Sequence, residues 1–327
     1  MARDGWWTVM RTWDEHVTDY LRLRRQLGFK LAWDEHLLGE FTSHLNAAQI
    51  ENLTIETAIS WASLPRPGAV EPAASRAPTR LSAVHSFASY MHAINPVHEV
   101  PPRGVFSHRT RRTIPYIYTP GEIADLLDAA ASLSRFGRGR IYPAVFGLLA
   151  STGLRVGEAL GLDTDEADLN AGVLTISRGK SRDPRLVPMH PTTTAAMDSY
   201  ACWRDRHLQR GDAPGDNRAF FVDVSGHRLP YPNVRHAFRR ARDAAGLTAT
   251  GAKPRIHDLR HTFAVTTLLG WYRDGADVAA LMPTLSTYLG HTNPSNTYWY
   301  FTAVPELLAH AADRLDIAAH SWMGAGS

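Results

Sequence analysis

Between Asn95 and Pro120 the chain carries Pro96, Pro101, Pro102, Pro115 and Pro120, interleaved with Arg103, His108, Arg109, Arg111 and Arg112. Proline lacks an amide hydrogen, fixes its own φ and pushes the preceding residue out of the helical region. Neither a helix nor a central strand can run through such a stretch. The chain is thereby cut into two folding problems, and 327 residues are enough for two domains. We expect a helical domain over 1–100, a basic Pro-rich linker over 101–118 and a second domain over 119–327. The linker's charge has two readings: composition alone favours a solvated connection, and its place between two domains shifts the reading toward phosphate contact.

Hydrophobic residues make up 44% and charged residues 20%, which supports packed cores and argues against global disorder. The formal net charge of +3 permits nucleic-acid binding without arguing for it, so the placement of the charge matters more than its sum. Arginines cluster at Arg109, Arg111 and Arg112, at Arg178, Lys180, Arg182 and Arg185, and at Arg235, Arg239, Arg240 and Arg242. Cys202 is the only cysteine, which excludes an internal disulfide and a cysteine-rich metal site. Met1–Trp6 shows no signal-like apolar run, and no stretch approaches the ~20 apolar residues of a membrane span. A cytoplasmic protein is expected.

Before the prolines the pattern is helical. Val17 to Leu27 has apolar residues at helical spacing, with Gly28 placed to end the helix. Further helices are expected over Trp33–Leu45, after Thr54 and over about Thr79–Ile94. After the prolines, Thr119-Pro120-Gly121-Glu122 is a helix start, with a threonine cap, proline in the first turn and an acid behind it. Val173–Ile176 and Arg185–Pro188 read as a hairpin with a basic tip over Gly179–Pro184, and Phe220–Val222 as a short strand. The expected fold is mainly α with a small antiparallel β-sheet (α+β).

The chemistry sits in four places. Arg155 follows a Thr-Gly break and opens a helix, where a planar guanidinium can grip two phosphate oxygens, and Glu158 lies on the same face to orient it. An exposed intrahelical ion pair is the alternative. Lys180, at the hairpin tip, is either a solvated lysine or a proton donor to a leaving alkoxide. His257, Arg260 and His261 share one helix face. A histidine beside a phosphate-binding arginine can exchange a proton with a reacting hydroxyl, whereas His257 and His261 four apart could bind zinc, for which no third ligand is evident. Tyr300 and Tyr298 follow His291 in an aromatic run, and either is a nucleophile candidate or a packed tyrosine.

Taken together, Thr152–Leu160, the Lys180 hairpin, His257-Asp258-Leu259-Arg260-His261-Thr262-Phe263-Ala264 and Leu289-Gly290-His291 with Thr297 and Tyr300 resemble, in order, the boxes of the tyrosine recombinase (phage integrase) family. The resemblance covers the chain from Thr119 onward. It implies a helical core-binding domain followed by an integrase-type catalytic domain. It also implies a site-specific DNA recombinase, integrase or transposase that cuts and rejoins strands through a 3′-phosphotyrosine, needing no metal, cofactor or ATP. Arg155, Arg260 and His291 would hold the scissile phosphate, Lys180 would protonate the 5′-oxygen, and His257 would help deprotonate the tyrosine. Glu158 would support the first arginine. Tyr300, nine residues after His291, is in the family's register for the nucleophile.

Double-stranded DNA is the expected partner, bound by a homo- or hetero-tetramer in which the segment from Val304 docks on a neighbour. Arg109, Arg111, Arg112, Arg178, Arg182, Arg185, Arg235 and Arg239 are the expected DNA contacts. Phe301-Thr302 departs from the family's common Thr-His, and a long interval before Leu289 resembles transposon-borne members. The alternative is a catalytically silent DNA-binding subunit of a multi-recombinase element.

Overall fold

The structure, a computed structural model, describes residues 11–29, 31–65, 76–106, 114–133, 138–177, 184–209, 218–248, 254–291, 293 and 295–303. The chain divides into two compact units, Met1–Arg112 and Thr113–Ser327. No described helix is long and apolar enough to cross a membrane.

Among the described residues of the first unit, four helices enclose one core: α1 (Trp13–Gln26), α2 (Ala32–Ala47), α3 (Ile55–Ser63) and α4 (Ala77–Ile94). α1 begins four residues earlier than apolar spacing implied, because Thr12 and Glu15 form a reciprocal capping box that fixes the first turn. Its end falls where expected, with Gly28 at φ +87°, a conformation that favours glycine. Leu38, Phe41, Leu45, Val84 and Phe87 are fully buried. The Pro-rich stretch begins built into this unit: His85 Nδ1 pairs with the Pro101 carbonyl at 2.7 Å, and Phe106 packs on the core.

The second unit opens on α5 (Pro120–Ser132), capped reciprocally by Thr119 and Glu122. α6 (Arg138–Thr152) and α7 (Val156–Gly161) follow, and then three strands, β1 (Ala167–Asp168), β2 (Val173–Ile176) and β3 (Arg185–Pro188). They form an antiparallel sheet in the order β1-β2-β3, with Leu174 opposite Val187. Leu174, Ile176 and Val187 point into the core. The expected hairpin is present as the β2–β3 pair; its tip lies outside the described residues. β1 was not expected, since two residues carry no alternation to read.

Helices complete the unit: α8 (Pro191–Gln209), α9 (Tyr231–Ala244), α10 (Asp258–Arg273), α11 (Val278–Leu289) and α12 (Ser295–Ala303). Phe146 of α6 meets Phe238 of α9 edge to face at 5.5 Å near the centre of the large core. A second cluster joins α10, α11 and Tyr300 of α12. The strand expected at Phe220–Val222 is not one. Only isolated bridges flank it, Asp163 with Ala219 and Val222 with Arg228. The two phenylalanines are buried as core plugs, held by Phe220 N–H to the Leu162 carbonyl and Leu229 N–H to the Phe221 carbonyl. Three apolar residues look alike in either role.

Candidate active site

The site is organised by the C-terminal end of α11. A helix leaves its last carbonyls without intrahelical donors, and they carry the negative end of the helix dipole. Gly290, at φ +66°, turns the chain so that its own amide and that of His291 bond back to Thr287 and Ser286. The next three carbonyls each accept an arginine. Arg185 Nε donates to Tyr288 at 2.9 Å, Arg260 Nη2 to Leu289 at 2.6 Å, and Arg155 Nη2 to Gly290 at 2.8 Å.

Two of these arginines also meet at Glu158. Arg155 caps the start of α7 and gives its backbone N–H to Glu158 at 3.0 Å and its Nη1 at 2.8 Å. Arg185 grips the same carboxylate with Nη2 at 2.7 Å and Nη1 at 3.2 Å. Burial alone would raise the Glu158 carboxyl, but the hydrogen bonds from Arg185 and from Arg155 hold it below the ordinary range. Arg260 is almost wholly buried and donates its other arm to the Gly153 carbonyl at 2.7 Å. Gly153 sits at φ +63°, and a Cβ there would stand 2.6 Å from Phe263 Cδ1, so the turn before Arg155 depends on glycine.

Three guanidiniums thus share the site with one carboxylate, bonded to two of them, leaving an excess of positive charge. Its effect reaches the neighbours. Burial, then the charge of Arg155, lowers Arg260 to about 10, still cationic at neutral pH. Burial, then Arg260 and Arg155, lowers His291 to about 3. Burial, then Arg260, also lowers His257, which occupies the cap of α10. The histidines are therefore neutral and able to donate one N–H, and this set of donors suits an anion that accepts many hydrogen bonds. A phosphodiester has that chemistry.

The nucleophile candidates separate by position. Tyr298 and Tyr300 are two residues apart on α12 and so point to different sides of the helix: Tyr298 is 54% exposed and Tyr300 only 2%. The Tyr300 hydroxyl lies 3.0 Å from His261 Nδ1, and His291 Nδ1 lies 2.7 Å from Thr297 Oγ1. α12 is thus joined by side-chain hydrogen bonds to the histidines of both the preceding boxes. Neither the His261 nor the Thr297 contact was read from the sequence. The signal for the first was present, since His261 is one turn beyond His257, but that spacing names no partner for the ring. Among the described residues no group of three or more His, Cys, Asp or Glu is placed to hold a metal ion.

Of the expected residues, Arg155, Glu158, His257, Arg260, His291 and Tyr300 converge. Lys180 lies outside the described residues, as do Arg178, Arg182, Arg109, Arg111 and Arg112. Arg235 and Arg239 are exposed on α9. Arg185, expected as a DNA contact on the hairpin, has its guanidinium turned inward: its side chain is 9% exposed, bonded to Glu158 and to the Tyr288 carbonyl of α11. It is thereby linked to Arg155 through their shared carboxylate.

Gly290 has no room for a side chain, because a Cβ would come within 2.8 Å of Arg185 Nη1. Gly290→Ala is expected to destabilise by about 1–3 kcal/mol from the left-handed backbone and the displaced arginine. Gly157→Ala, whose Cβ meets nothing within 4 Å, should leave stability unchanged or slightly raised. Urea unfolding of the two variants checks the contrast.

Two arginines and neutral histidines beside a buried tyrosine, on a helical scaffold, are the groups that covalent phosphoryl transfer through a tyrosine requires. The family model described as "Phage integrase family" matches residues 118–306. The y4rB protein of Sinorhizobium fredii, named provisionally as an integrase/recombinase, is 38% identical over 94% of this chain and 98% of its own. The tyrosine recombinase XerD of Bifidobacterium longum is 31% identical over 70% of this chain and 71% of its own. Among solved structures, the Tn1549 transposon integrase in complex with transposon right end DNA aligns with a TM-score of 0.63 at 16% identity, covering 92% of this chain and 99% of that one. A lambda integrase dimer bound to a COC′ core site aligns at 0.54 and 19%, covering 87% and 96%. These two likenesses show the fold. The chain belongs to the phage integrase family, the tyrosine-type site-specific DNA recombinases.

Proposed function

We propose that Tyr300 attacks a phosphodiester of double-stranded DNA, forms a 3′-phosphotyrosine and releases a 5′-hydroxyl. A second 5′-hydroxyl then reverses the step on a new strand. The observation that carries this reading is the shared seat of Arg155 and Arg260 on the end of α11, one turn of chain before the helix that bears Tyr300. Two arginines fixed in this way can hold both non-bridging oxygens and stabilise the charge that grows in the transition state without reorganising. His291, neutral and oriented by Thr297, supplies a further N–H. Lys180 is proposed as the acid for the leaving 5′-oxygen, and Glu158 and Arg185 keep Arg155 in place. Because the phosphotyrosine conserves the energy of the phosphodiester, rejoining requires no ATP.

The recombining unit is proposed to be a tetramer on paired DNA sites, and the likeness to a transposon integrase supports a role in a mobile element. The test is direct. The chain is incubated with duplexes tiling the DNA on either side of its gene, each nicked so that the cleaved strand diffuses away. A protein–DNA adduct that survives detergent and forms with EDTA present and ATP absent is the expected result. Tight binding with no adduct on any duplex would favour the silent accessory subunit.

Binding itself should depend steeply on salt, since phosphate neutralisation releases counterions. Arg235 and Arg239 are proposed to neutralise backbone phosphates. Replacing both with Ala should weaken binding across sequences and lower the slope of log K against log salt by about 1 for each phosphate left without its arginine. Titrations at several salt concentrations measure it. An unchanged slope would mark α9 as a solvated face.

A further inference from the structure

The base that receives the tyrosine proton is better placed at His261 than at the histidine the family resemblance suggests. His261 stands one turn beyond His257 on the same face of α10, and the two rings meet edge to face at 4.7 Å. Trp299 flanks His261 at 5.7 Å and Tyr300 at 5.6 Å, walling the pair with apolar surface. Within it, His261 Nδ1 is 3.0 Å from the Tyr300 hydroxyl. A phenol can donate to that nitrogen only if the ring proton is on Nε2 and the ring is neutral. Burial first, then His257, lowers His261 to about 4, with Asp258, Arg255 and Arg260 as the other charges around it. A lone pair is therefore available at neutral pH, aimed at the one hydroxyl whose proton must leave. Burial and Arg260 keep His257 neutral as well, so position separates the two: His261 Nδ1 is at hydrogen-bond distance from the phenol, and His257 meets the pair through the ring of His261.

We propose that His261 is a catalytic residue, the proton acceptor for Tyr300. As the bond from Tyr300 Oη to phosphorus forms and the phosphorus–O5′ bond breaks, the phenol proton passes to His261 Nδ1. The departing 5′-oxygen takes a proton from a separate acid, the role proposed for Lys180. On rejoining, the attacking 5′-hydroxyl returns a proton to that acid, and His261 gives its own back to the released phenolate. The inference rests on the strand-transfer reading above.

His261→Asn separates proton transfer from mere support. An asparagine amide lies where Nδ1 stood and can hydrogen-bond Tyr300, but it cannot take the proton. With the nicked duplexes above, adduct formation by His261→Asn should fall by about 10²–10⁴-fold at neutral pH, with duplex binding unchanged. Without a base the phenol must ionise into solvent, so the variant's rate should climb about tenfold per pH unit and close on the wild type in alkali. Wild-type rate in His261→Asn overturns the proposal. So does a loss that stays constant across pH or merely follows weakened duplex binding. If the wild type, with His261 intact, forms no adduct, the strand-transfer reading itself falls and this inference with it.

Discussion

Tyr300→Phe should bind duplex DNA as the wild type does and form no covalent adduct at all, because the substitution removes the attacking oxygen and nothing else of size. Its structural cost is the hydrogen bond to His261, worth about 1 kcal/mol, so the variant folds and serves as a trap for the uncleaved complex. Tyr298→Phe, altering a side chain that is half exposed, should cleave within about threefold of the wild type, a difference of ~0.7 kcal/mol. The two variants run side by side on the same nicked duplexes decide the assignment. An adduct that persists without the Tyr300 hydroxyl and disappears without that of Tyr298 would transfer the nucleophile to Tyr298.

The largest loss of stability is expected at Glu158. Its buried carboxylate accepts hydrogen bonds from the backbone and guanidinium of Arg155 and from both terminal nitrogens of Arg185. Glu158→Ala leaves the enclosed Arg185 charge without a counter-ion, and breaking one side of a buried pair in this way costs about 3–5 kcal/mol. Glu158→Gln should cost less, since its amide oxygen still accepts one arginine while its NH₂ faces another. Urea unfolding curves at neutral pH give both values, and equal stability of Glu158→Ala and the wild type would contradict the buried bridge.

A pH dependence follows from the same contacts. The folded carboxyl is held below its ordinary value of 4.5. Its contribution is therefore fully present above that unfolded value and is lost as pH falls through the lower, folded one. The wild type should lose stability on acidification more steeply than Glu158→Gln, whose amide does not titrate. Parallel curves from neutral pH down to pH 3 would argue against it.

Much of this site was legible because its chemistry is local. Arg155 and Glu158 are three residues apart, so helical geometry alone brings them together, and the Thr-Gly break before them marks where the guanidinium emerges. Tyr300 was separable from Tyr298 by its interval from His291. Arg185 was not legible, for a physical reason. Its neighbours on the hairpin are basic and it stands at the start of a strand beside the tip, so a DNA-facing reading fits everything nearby. What turns it inward is Glu158, 27 residues before it, and the carbonyl of Tyr288, 103 residues after. No local pattern encodes either partner. His261 shows a different limit: spacing put it beside His257, but only the packing of α12 against α10 brings the Tyr300 phenol to its ring. In the fold, helix ends were read well at Gly28 and at the Thr119 cap, the Thr12 cap that starts α1 was missed because apolar spacing begins only at Val17, and Phe220–Phe221 was misread because burial without a ladder has no period.

The three carbonyls that end α11 make Arg155, Arg185 and Arg260 passengers on one support. A shift of that helix end by a fraction of a hydrogen-bond length would carry all three cations off register at once, and Glu158, tied to two of them, would resist any one moving alone. The three cations are therefore placed as one group, and their spacing is inherited from consecutive carbonyls of a single helix end rather than set one side chain at a time.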